Sequence, residues 1–202
     1  MLIIHKMETM NSRQKKKANG FCVATMAMLM VAGTANAQMA DLGVKAGVNF
    51  GSLRTNSDAV SAASGKTGLH VGLFARTGNN FYFQPELNFA TFGSTYAHGG
   101  ETYEPMFRQL NVPLMAGYKL INNDNVNFCV SLGPDVNFNL NKPDAPAGMA
   151  YRRFGVGGVL NGGVDVGRVT FDARYSFGLT AANEGLDQRS RVFSLSVGFK
   201  IL

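Results

Sequence analysis

Phe81-Tyr82-Phe83-Gln84-Pro85-Glu86-Leu87-Asn88-Phe89-Ala90 alternates between two chemistries, residue by residue. Phe81, Phe83, Pro85, Leu87 and Phe89 share one face, and Tyr82, Gln84, Glu86, Asn88 and Ala90 share the other. A period of two is the mark of a strand with two unlike surroundings. The same alternation recurs over 42–51, 69–76, 110–119, 126–138, 154–165, 169–179 and 193–201, with the 154–165 run weaker and glycine-rich. Eight such runs predict an all-β fold.

The connections alternate in length. Segments 77–80, 121–125 and 167–168 are short and rich in Gly and Asn, which accept the positive φ of tight hairpins. Segments 54–66, 94–106, 141–152 and 180–191 are long and polar. Long and short connections in strict turn predict a closed, antiparallel, up-and-down barrel of eight strands, with all long loops at one end. An even strand count puts both termini at the other.

Alternation alone leaves two barrels open: a soluble carrier with its apolar face inside, like a lipocalin, or a transmembrane barrel with that face toward lipid. The polar face favours lipid, because it carries Gly, Ser and Asn where a solvated surface would carry Lys and Glu. An eight-strand interior has room only for side chains, so small residues belong there. Phe50, Phe81, Phe138, Tyr175 and Phe199 stand near run ends on the apolar face, as interfacial girdles do. The chain has no Trp, a departure from the usual girdle. Pro85, Pro113 and Pro134 remove ladder donors, and bulges or kinks are expected beside them.

The first 37 residues read differently. Lys6, Arg13, Lys15, Lys16 and Lys17 precede an apolar stretch over 21–31 and then Ala35-Asn36-Ala37. That is the layout of a secretory signal peptide, with cleavage expected after Ala37 and a mature domain over 38–202. Met7 and Met10 compete with Met1 as the start, and Cys22 lies before the apolar core, where no lipid-anchor cysteine would be. The core is too short for a spanning helix, which needs about 20 residues. The nominal charge of +6 falls to +2 without this segment, at 14 basic against 12 acidic residues, so nucleic acid is not an expected partner. Cys129 is then the one remaining cysteine, in an apolar run, and no internal disulfide can form.

Four segments carry a family resemblance. Leu42-Gly43-Val44-Lys45-Ala46-Gly47-Val48-Asn49-Phe50, Phe81-Tyr82-Phe83-Gln84-Pro85-Glu86-Leu87, Leu110-Asn111-Val112-Pro113-Leu114 and Arg174-Tyr175-Ser176-Phe177-Gly178-Leu179 together resemble the PorT-like outer-membrane β-barrels of Bacteroidota. The resemblance covers essentially the whole mature chain. It implies an eight-stranded barrel in the bacterial outer membrane, and it implies no reaction. Some relatives are linked to secretion or gliding machinery. The C-terminus departs from the terminal-aromatic assembly signal, since Lys200, Ile201 and Leu202 follow Phe199.

No motif for catalysis, cofactor or metal emerges. His70 and His98 lack ligand spacing, a Ser-His-Asp site using Asp58 has no nucleophile motif behind it, and Gly155-Val156-Gly157-Gly158 lacks the strand-turn-helix context of a dinucleotide loop. The inward face instead carries charge of both signs: Lys45, Arg76, Glu86, Lys119, Asp135, Asp165, Asp172, Arg174 and Lys200. In a narrow interior these must pair, which predicts a salt-bridged plug. The expected role is a monomeric, non-enzymatic surface barrel surrounded by outer-membrane lipid, meeting a partner through its loops. The alternatives are a narrow pore or transport accessory, and an enzyme at the outer rim.

Overall fold

The computed structural model describes residues 40–54, 60–98, 101–123, 125–143, 151–181 and 189–202. The expected signal peptide, Asp58 and the loop centres lie outside them. Nine strands form: β1 (Ala40–Arg54), β2 (Val60–Gly78), β3 (Phe81–His98), β4 (Glu101–Tyr103), β5 (Met106–Asn122), β6 (Val126–Asn139), β7 (Phe154–Val166), β8 (Val169–Gly178) and β9 (Arg189–Lys200). β4 is a short addition to the end of β3. The other eight pair antiparallel in the order β2-β1-β9-β8-β7-β6-β5-β3, and β3 pairs back onto β2 to close the ring. Closure gives each of the eight barrel strands a neighbour on both sides, which a sheet in hydrocarbon requires.

The apolar face points outward. Leu69, Leu73, Phe81 and Leu132 are exposed by 64%, 57%, 74% and 62%, whereas Lys45 and Glu86 are exposed by 2% and 1%. The five aromatic residues named as girdle candidates all lie on this outer surface. Phe81 meets Tyr118 edge-on at 5.4 Å near the short turns, and Phe50 stacks on Phe193 at 6.4 Å toward the other end.

Two expectations need correction. The prolines cause no register shift: Pro85 pairs with Leu114 and Asn88 with Asn111 in one register, and Pro113 with Asp135 and Ala116 with Leu132 in another. A missing N–H interrupts the ladder but inserts no residue, so the inward and outward phase survives. The irregularities lie elsewhere, between Ser61 and Ser64 and between Lys66 and His70 on β2, and between Lys119 and Ile121 on β5. At the last, the extra residue turns both Leu120 and Ile121 outward. Three of the four long connections are also shorter than expected, because β2 begins at Val60, β3 runs to His98 and β9 begins at Arg189; the fourth, between β6 and β7, spans 140–153.

The bulge near Lys66–His70 is repaired by side chains. Thr91 Oγ1 accepts from the Leu69 amide at 3.0 Å and donates to its carbonyl at 3.2 Å. Asn49 Nδ2 donates to the Leu69 and Thr91 carbonyls at 3.3 and 3.0 Å. Backbone groups that the bulge removes from the ladder therefore stay bonded.

Candidate functional site: the barrel lumen

The lumen is built in layers. Nearest the short turns, Asp165 of β7 accepts from Lys200 of β9 at 2.9 Å and pairs with Arg76 of β2. Lys200 also reaches Asp41 at 3.0 Å. The Arg76 guanidinium lies 4.8 Å from the Tyr82 ring centre and donates through Nε to Gln84 Oε1 at 2.6 Å. Gln84 then donates to Glu86 at 2.7 Å, joining this layer to the next.

Glu86 of β3 is the hub of the second layer. Arg174 of β8 grips both its oxygens at 2.8 Å, Lys45 of β1 donates at 2.7 Å, and Asn88 donates at 2.9 Å. Lys45 also reaches Asp172 at 3.2 Å, and Asn161 bridges Asp172 and Arg174 at 2.9 and 3.2 Å. A two-pronged guanidinium–carboxylate pair is the strongest and most directional of such contacts. Six of the nine inward charges therefore join with close partners across the interior: Lys45, Arg76, Glu86, Asp165, Asp172 and Arg174. Lys200 joins them at the short-turn end. Asp135 is buried outside these ion pairs, and Lys119 lies half-buried beside the short turns, also outside them.

Inward rings sit over inward glycines. Phe74 covers Gly43 and Tyr82 covers Gly117, each across a direct pair in the ladder. A Cβ at either glycine would occupy space the ring holds.

Above the charged layers, the Asn49 carboxamide oxygen accepts from His70 Nδ1 and from Ser194 Oγ, each at 2.8 Å. Asn49 thus stands between the imidazole and the hydroxyl. A histidine that activates a serine must contact it directly. A cavity of about 50 Å³ follows, lined by Asn49, His70, Asn88, Asn111, Asp135 and Arg174 among others. Leu53, Phe92 and Phe107 cap it, with Tyr103, Tyr151 and Val192 packed against them. Phe92 and Phe107 stack at 4.9 Å, and Tyr151 meets Phe107 edge-on at 5.0 Å. At the rim, a hydrogen bond from Lys66, 2.7 Å away, lowers the Glu104 carboxyl below its usual range.

Sequence reasoning missed the cap, because its residues fall in or beside segments read as loops. Continuing the alternation past Ala90 would have turned Phe92 inward, and stepping back from Gln109 would have done the same for Phe107. Among the described residues, no cluster of three or more His, Cys, Asp or Glu side chains is placed to hold a metal.

Over residues 34–183 the sequence matches the family described as outer membrane protein beta-barrel domain. The chain belongs to that family. As an outer membrane barrel it lies in the bacterial outer membrane, with its apolar belt in lipid. Neisserial surface protein A shares the fold, with a TM-score of 0.52 at 15% identity over 79% of this chain and 97% of that one. Ail of Yersinia pestis, in a complex with the heparin analogue sucrose octasulfate, aligns at 0.47 and 13% identity over 81% and 100%. The outer membrane enzyme PagL aligns at 0.49 and 12% identity over 80% and 99%. No curated protein matches the sequence.

Proposed function

We propose that this outer membrane barrel is a closed, non-enzymatic anchor that acts through its long-loop end on a partner outside the cell. The filled interior carries the reading: two ion-pair layers centred on Asp165 and Glu86, with the Leu53-Phe92-Phe107 cap above them. Such a lumen has no room for an aqueous path. The reading also takes up the PorT-like resemblance and export through cleavage after Ala37, which leaves Gln38 as the first residue of a monomer.

The exposed end is also where β3 and β4 project. β3 runs on to His98 and pairs with β4 there, whereas the β1–β2 ladder ends at Gly51–Lys66. Purified mature barrel in planar bilayers is the first test. The expected result is no large, stable conductance, and a steady open level would favour the narrow-pore alternative. In cells, removing residues 99–105 should abolish cross-linking to the partner while heat-modifiable gel migration persists. A variant that folds and still cross-links fully contradicts the reading.

A further inference from the structure

The inward ion pairs of the described residues join Lys45, Arg76, Arg174 and Lys200 to Asp41, Glu86, Asp165 and Asp172. Positive and negative charges balance in that set, and two inward charges are left over: Lys119 beside the short turns, and Asp135 next to the Glu86 layer. Asp135 is 4% exposed. Its Oδ2 accepts from Asn111 Nδ2 at 3.4 Å, and its Oδ1 has no hydrogen-bond partner. The Oδ1 atoms of Asn111 and Asn88 are also without one. All three residues line the same cavity of about 50 Å³.

Unpartnered acceptors in a polar cavity call for water or a ligand. Water would satisfy the amide oxygens but brings no charge to a buried carboxylate. Arg174 lines the same cavity, yet its hydrogen bonds go to Glu86 and Asn161, and none reaches Asp135. The unpartnered acceptors are all oxygens, and oxygen donors select a hard cation. At this level Lys45 and Arg174 balance Glu86 and Asp172, so Asp135 is one local surplus negative charge, which a single monovalent cation offsets.

We propose that the cavity binds a single alkali cation of the sodium class, held by the Asp135 carboxylate and the amide oxygen of Asn111. Its size leaves room for a few waters to complete the shell, at roughly 10–15 Å³ per water site. The site sits above the ion-pair layers and does not depend on what the loops bind.

The test uses the mature barrel in detergent micelles with sodium chloride exchanged for N-methylglucamine chloride at constant ionic strength. Sodium should raise the midpoint of heat-modifiable migration by on the order of a few degrees and broaden the sodium-23 resonance. Both responses should vanish in Asp135→Asn and weaken in Asn111→Ala, which keeps the charge and serves if the first variant does not fold. Equal responses in wild type and Asp135→Asn would overturn the proposal. So would a wild type indifferent to sodium, or one that responds to calcium alone.

Discussion

Glu86 shows what one buried residue does in this lumen. Its two oxygens take bonds from Arg174, Lys45, Gln84 and Asn88. Glu86→Ala would leave Arg174 without its counter-ion and Lys45 with Asp172 alone. Breaking such a pair from one side costs about 3–5 kcal/mol, whereas replacing both sides by apolar groups is far milder. Urea titration in micelles should therefore show a large loss for Glu86→Ala and a smaller one for Glu86→Leu combined with Arg174→Met. The inward position of these residues was legible in the sequence, because alternation assigns a face. Their partners were not. Glu86 meets Arg174 and Arg76 meets Asp165 from across the lumen, and the stagger of the strands decides which inward residues face each other.

At the scale of the strand, Asn49 ties β1 to the bulge of β2 and to β9. Asn49→Ala would leave two carbonyls and His70 short of partners, a loss of about 1–3 kcal/mol. The melting midpoint should fall accordingly, and His70→Ala in the same background should add less than it does alone. Gly117→Val tests the pairing of β3 with β5. Its side chain would displace the Tyr82 ring from between Gly117 and Arg76, so refolded samples should show a reduced heat-modifiable fraction. Strand cores were readable because one side met lipid and the other the lumen. Strand ends were not. Over 60–66 the sequence Val60-Ser61-Ala62-Ala63-Ser64-Gly65-Lys66 has no strict alternation, so the pattern fades while the ladder continues. Pro113 misled for a related reason: a lost donor and an inserted residue look alike in sequence, yet only the second changes phase.

For the whole molecule, lipid is the solvent that makes the outward belt favourable. Leu132 lies in the middle of β6 and faces fully outward. Leu132→Arg should cost about 2–4 kcal/mol if it lies at the bilayer midplane, read as a lower urea midpoint in lipid bilayers. A charge added at Ser194, on the inner wall, should act instead through its neighbours Asn49 and His70. Fold and location were therefore the legible part. The role of the loops was not, since composition names a polar surface without naming what it meets.

The seam between β1 and β9 has a consequence in time. It joins Gly43 to Lys200 and Arg54 to Arg189, so the first strand waits for the last. Until β9 has been synthesised and delivered, β1 and β8 each keep an open edge, the hazard that favours aggregation. Pairing across so long a stretch of chain also makes for slow folding. The polypeptide must therefore travel from ribosome to membrane as an unfinished chain, kept from its own kind, and close only on arrival.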